Sequence, residues 1–236
     1  MTRPTSSLFR WQHRSQDELR AMLHDHVDAR DFPCVGAKSA LARGTLEVLA
    51  CDSIASAWDD LRIHDGLLAW AHAWREDPGE LRSFAVVFEG PVALSEPEFE
   101  AAMWARLQSL SDKDVWRGQD YDPRVSPDPD DKHFSLSFGG EAFFVVGLHP
   151  HASRPARRLA RPALIFNLHE QFEQLRAAGK YEGMRDKILT RDEAIAGSVN
   201  PMLARHGEMS EARQYSGRAV PEQWRCPFRY GGGDDR

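Results

Sequence analysis

Residues 133–148 read HFSLSFGGEAFFVVGL, and this stretch decides the class of fold. His133 to Phe138 alternates in character, Gly139-Gly140 turns the chain, and Ala142 to Leu148 is an apolar run. That order is the signature of a β-hairpin. Ala163 to Phe166 is a further β-rich run, and Phe84 to Phe88 an earlier one, closed by Gly90-Pro91. Strands joined both by a hairpin and by helices predict an α+β fold, with an antiparallel sheet of about four strands packed with helices.

Outward from the hairpin the pattern turns helical. Ser95-Glu96-Pro97-Glu98 is a helix start with proline in the first turn, and the helix is expected to run to about Leu110. Ser111 to Lys132 is rich in Asp and Pro without periodicity, which predicts an exposed loop long enough to act as a lid. Nearer the start, helical spacing predicts helices over Ser15–His26, 37–50 and Ser53–Ala73, the last carrying Trp58, Leu61, Leu68 and Trp70. After the hairpin, Asn167 opens a helix that stops at Gly179, and another runs from about Tyr181 to Ala196. Beyond Gly197 the glycines and prolines are too closely spaced for long elements. We expect one domain over 1–230 and a flexible tail over 231–236.

The chain has 236 residues with 30 basic and 36 acidic side chains, a net charge of −6. No positive field gathers phosphates, so nucleic acid is not an expected partner. The opening MTRPTSSLFRWQHRSQ is too polar for a secretory leader, and no apolar run has the length of a membrane span. Cys34, Cys51 and Cys226 are odd in number and lack CxxC spacing, which suits reduced thiols in the cytoplasm.

Two polar clusters follow directly from apolar strands, where a rigid frame delivers functional groups. In the first, His149 and His151 precede Arg154, Arg157 and Arg158, guanidinium groups able to converge on carboxylates or phosphates. A solvated basic loop has the same composition. In the second, His169 begins a helix and offers an imidazole for iron, as His149 does at the end of its strand. Glu170 and Glu173 could hold a cationic group or simply favour the positive end of the helix. HExxH, paired CxxC, phosphate-loop and dinucleotide glycine patterns are all missing from the sequence. Cys34 and Cys226 adjoin prolines, and either thiolate is an alternative iron ligand.

The wording of these clusters resembles the YqcI/YcgG family: Phe-Pro-Cys at 32–34, Gly-Leu-His-Pro at 147–150, Asn167-Leu168-His169-Glu170-Gln171-Phe172, and Gly197-Ser198-Val199-Asn200-Pro201 through Gln214-Tyr215-Ser216-Gly217-Arg218 to Trp224-Arg225-Cys226-Pro227-Phe228. Leu168 stands where the family pattern leads us to expect proline. Members with an assigned role are haem proteins that hydroxylate guanidino nitrogens, in D-cycloserine and guanitoxin biosynthesis. The resemblance therefore implies a b-type haem and a haem-dependent N-oxygenase acting on a small arginine-like guanidine or amine. By the same implication His169, failing that His149, holds the iron. Arg154, Arg157 and Arg158 meet the propionates, the aromatic side chains pack on the macrocycle, and Glu170, Glu211 and Tyr215 are the catalytic candidates. Electrons come from an external donor, or peroxide replaces them. A non-enzymatic haem carrier or sensor is the competing expectation, and a second copy of the chain is a candidate partner.

Overall fold

The computed structural model describes residues 16–79, 81–200, 202 and 207–232. The polar opening stretch up to residue 15, and positions 233–236 of the expected tail, lie outside the described residues. The chain runs α1 (Gln16–Asp28), α2 (Val35–Arg43), β1 (Leu46–Ser53), α3 (Asp60–Glu76), β2 (Ser83–Gly90), α4 (Glu96–Trp116), β3 (Leu136–Phe138), β4 (Glu141–Leu148), β5 (Ala163–Leu168), α5 (His169–Ala177), α6 (Tyr181–Ala196) and α7 (Ala212–Tyr215). The α+β class and the hairpin at Gly139-Gly140 match the expectation, and both turn glycines have positive φ.

The sheet has five strands in the order β1-β2-β5-β4-β3, and it is mixed rather than antiparallel. β1 and β2 are parallel, while β2–β5, β5–β4 and β4–β3 are antiparallel. The missed strand begins inside the segment read as a helix over 37–50 and runs on to Ser53. Gly44 ends α2 in the left-handed conformation at φ 72°, with its N–H turned back to the carbonyls of Ala40 and Leu41. The chain then extends, and Leu46 to Ser53 pairs with Ser83 to Gly90. Side chains also take up polar backbone groups of this edge strand: Arg62 Nη2 donates to the Ala50 carbonyl at 2.7 Å, and Asp59 accepts the Asp52 N–H at 2.8 Å.

Two other expectations change. The third helix starts at Asp60 rather than Ser53, which leaves Trp58 ahead of it, and both Trp58 and Leu61 are exposed. α4 begins with the expected proline and a capping box between Ser95 and Glu98 but continues to Trp116, six residues into the predicted loop. What remains of that loop is tied down at its middle. The Asp122 carboxylate is buried, accepts the Ala142 N–H at 2.9 Å and pairs with Arg124.

Strand parity sorts the sheet into two faces. Phe84, Val86, Phe143, Val145 and Phe166 pack with α3 and α4 in a core rich in aromatic rings. Ala85, Val87, Leu148 and Ala163 pack with Leu19 and Leu23 of α1 and with Ala40 of α2. On this second face α6 packs on α2, α5 and the 3₁₀ turn Pro155–Arg157, roofing the part of the sheet that α1 and α2 leave open. Among the described residues no helix is long and apolar enough to cross a membrane.

Gly147 marks the tightest approach on the α4 face. A Cβ there would stand 2.8 Å from the Phe99 ring and 3.1 Å from the Tyr215 carbonyl oxygen. Gly147→Ala is therefore expected to destabilise the fold by about 1–3 kcal/mol, the usual range for overpacking a filled core. Chemical denaturation at neutral pH measures it.

Candidate functional site

On β5, Leu164, Phe166 and Leu168 point into the aromatic core, so Ile165 and Asn167 face the other way. His169 follows at the first position of α5 and faces the same open side. Between this floor and the α6 roof lie two adjoining chambers of about 220 and 190 Å³. Cys34, Ser83, Phe144, Val146, Asn167 and Ile188 line both. Joined, the chambers come into the range of about 300–1,000 Å³ that takes a drug-sized ligand. The walls are mostly apolar, with a few polar groups set into them.

His169 is at the polar end of the first chamber. Its Nε2 stands 3.5 Å from Glu211 Oε1 and its Nδ1 3.8 Å from Glu173 Oε1. Glu211 is 4% exposed, accepts the Ser135 hydroxyl, and has the Tyr215 hydroxyl 3.3 Å away. Tyr215 is fully buried, and burial above all, with Glu211 adding to it, raises its pKa well above the usual phenol value. It stays protonated, and the Phe143 carbonyl is an alternative acceptor for it at 3.1 Å. Three of the expected residues thus come together, His169 meeting Glu211 and Tyr215 from more than forty residues earlier in the sequence.

The arginines separate. Arg157 is buried at the second chamber and donates to the carbonyls of Tyr215 at 2.8 Å, Gln214 at 3.0 Å and Gly147 at 3.2 Å. Burial pushes its pKa down to about 10, with Asp192 opposing the fall and Arg154 adding to it. Arg154 lines the same chamber, pairs with Asp192 of α6 and donates to the Ser198 carbonyl at 3.0 Å. Arg158 is exposed, lines neither chamber, and donates to the carbonyls of Ala152 and Ser153.

The remaining candidates are dispersed. His149 lies against α4, its ring stacked on Phe99 at 4.3 Å, and it lines neither chamber. Glu170 lies outside the chambers, with Arg124 donating to it at 2.6 Å, and Glu173 pairs with Arg176. Cys34 lines both chambers; its Sγ accepts the Ala37 N–H at 3.4 Å, and burial raises its thiol pKa. Cys226 packs beside the aromatic core, its pKa raised to about 12 chiefly by burial. Most of the aromatic excess, including Phe84, Phe99, Phe138 and Phe166, is spent in that core, whereas Phe144, Phe172 and Tyr181 line the first chamber.

The sequence reading missed the Ser83–Asn167 pair in the floor. Its signal was present: Asn167 is the one polar residue in the strand ALIFNL, on the face opposite the core. It also missed α6 as a wall, because its inward residues Met184, Ile188 and Leu189 only become a face against the sheet.

The sequence matches the YqcI/YcgG family over residues 21–229, and the chain belongs to that family. It is 26% identical over 228 residues to "Uncharacterized protein YqcI" of Bacillus subtilis (strain 168), covering 92% of this chain and 87% of that protein. No solved structure matches it.

The buried His149 has a consequence for pH. Burial, helped by His151 and Arg157 and opposed by Glu96, pushes its pKa down to about 4. An unfolded histidine titrates near ~6.5, so between the two values the unfolded chain binds more protons and stability rises with pH. The contribution is complete above about pH 6.5 and is lost as pH falls toward 4, an expected loss of about 3 kcal/mol. Denaturation of wild type and His149→Gln across this window measures it: the wild type should lose more stability on acidification than the variant.

Proposed function

We propose that this member of the YqcI/YcgG family is a haem-dependent N-oxygenase that hydroxylates a guanidino or amino nitrogen of a small arginine-like molecule. The observation that carries the reading is His169: an imidazole in an apolar cavity, beside a buried carboxylate, with guanidinium groups in the adjoining chamber. One nitrogen donor, apolar walls for a flat ring and cations for its acid groups form the donor set that a b-type haem requires, so the residues present fit the group. His169 would hold the iron, with Cys34 as the reserve ligand. Arg154 and Arg157 would face the carboxylates, while Arg158 is too far out to share that role directly.

Activation of dioxygen or peroxide at iron is the chemistry the bound haem supplies. The chain's own residues do the rest. Glu211 would hold a cationic nitrogen or take its proton at a carboxylate oxygen, and the Ser135 and Tyr215 hydroxyls that donate to that carboxylate would orient it. α6 and its apolar side chains keep water from the site. With dioxygen, one oxygen atom enters the N–H bond and the other leaves as water, taking two electrons and two protons from an external donor. With peroxide no donor is needed. Three free thiols suit work in the reducing cytoplasm.

One observation favours the alternative of a non-enzymatic haem carrier or sensor. Glu170 and Glu173 are engaged by Arg124 and Arg176, so neither is held ready for a cationic substrate.

Titration of the purified protein with haem tests the first step. The wild type should develop a Soret band, His169→Ala should lose it or recover it with free imidazole, and His149→Gln should keep it. A ferrous–CO spectrum of the thiolate type would move the ligand to Cys34. Haem-loaded protein given arginine, a reductant and oxygen, or peroxide alone, should yield a product heavier by one oxygen atom. A broad panel of guanidines and amines that neither perturbs the spectrum nor is oxidised would leave the carrier.

A further inference from the structure

Asn167 and Ser83 form a polar island in the floor where the two chambers meet. Around them the shared wall is apolar, with Phe144, Val146 and Ile188, and Ile165 stands two residues earlier on the same face of β5. A second isoleucine at 167 would complete that floor. The Ser83 hydroxyl donates to Asn167 Oδ1 at 2.7 Å. This bond orients the amide so that Nδ2 points the other way, with the Phe144 carbonyl 3.5 Å off. The reversed amide would set two oxygens against each other there, so the network selects this orientation.

A primary amide carries two N–H donors. One reaches the Phe144 carbonyl at the outer limit of hydrogen bonding, and the second has no protein acceptor among the described residues. A donor left unmade in an apolar wall is unfavourable unless something in the cavity accepts it. A second imbalance lies in the adjoining chamber. Among the described residues, Arg154 and Asp192 neutralise each other, but Arg157 hydrogen-bonds only to neutral carbonyls, and the Arg154 Nε is buried with no hydrogen-bond partner. The chamber therefore keeps the charge of one cation uncompensated in an apolar setting, which favours an anion.

We propose that Asn167, held by Ser83, is a ligand-binding residue. It donates a hydrogen bond to an acceptor oxygen on an apolar acid that fills the joined chambers, with the acid's charge toward Arg154 and Arg157. The inference rests on the cavity being the ligand site, as the haem reading has it, but not on haem being the ligand.

The test titrates the full-length protein with two probes, anilinonaphthalene sulfonate by fluorescence and haemin by absorbance. Wild type is compared with Asn167→Leu, Asn167→Asp and Ser83→Ala. Both Asn167 variants should bind the sulfonate about five- to tenfold more weakly, with a smaller loss for Ser83→Ala. Ser83→Ala carries the test if the Asn167 variants do not fold. A parallel loss for haemin supports both this inference and the haem reading. Loss for the sulfonate, with no haemin binding by wild type, supports Asn167 and removes haem. Equal affinities in all four proteins, or tighter binding by Asn167→Asp, overturns the role of Asn167, and haemin bound equally by all leaves the haem reading intact. If wild type binds neither probe, both fail.

Discussion

The register between β4 and β5 is the constraint on which the rest depends. Phe143 lies opposite Leu168, Phe144 opposite Asn167, Val145 opposite Phe166 and Val146 opposite Ile165. Because side chains alternate across a strand, this pairing sends Phe143, Val145, Phe166 and Leu168 into one core and leaves Phe144, Val146, Ile165 and Asn167 as the floor of the cavity. A slip of one residue would bury Asn167 among phenylalanines and turn apolar side chains outward. The aromatic core under α3 and α4 thus holds the cavity's geometry as well as its own.

The Glu211 carboxylate comes from elsewhere in the chain, and charged groups fix its place. Arg157 joins the carbonyls of Gln214 and Tyr215, both in α7, to the Gly147 carbonyl of β4. Glu100 of α4 accepts from Arg218 twice at 2.8 Å, from Trp224 Nε1 at 2.8 Å and from Ser216 at 3.0 Å. Burial alone would raise the pKa of Glu100, but these donors together hold it below the ordinary carboxylate value. Both clusters fasten the chain immediately after Glu211. They anchor an irregular stretch of chain without a helix or strand long enough to do so.

The roof is built differently from the floor. Asp192 is the residue of α6 that is buried, and it pairs with Arg154 rather than with apolar neighbours. Left-handed glycines stand at both ends of the segment, Gly179 after α5 and Gly197 as the cap of α6. A wall whose one buried residue is held by an ion pair, with half-buried side chains around it, belongs to the less stable parts of a fold, and those parts open most readily to a ligand.

The hairpin, the class of fold and the position of His169 at the end of a strand were legible from residues 133–172, because a period of two, a glycine pair and a polar residue closing an apolar run are local signals. Glu211 and Tyr215 were selected only through the family resemblance, since nothing near them in sequence marks a site. β1 was not legible: Leu46, Leu49 and Ala50 suit a helix as well as a strand, and parallel pairing with β2 across α3 decided between them. The roles of Arg154, Arg157 and Arg158 were not legible either. Three arginines in five positions look alike in sequence, but burial, carbonyl partners and Asp192 from α6 make one a staple, one a latch and one a surface residue. Periodicity determined which segments form most elements. Only the tertiary structure, by choosing which distant groups share a low-dielectric wall, determined which side chains meet.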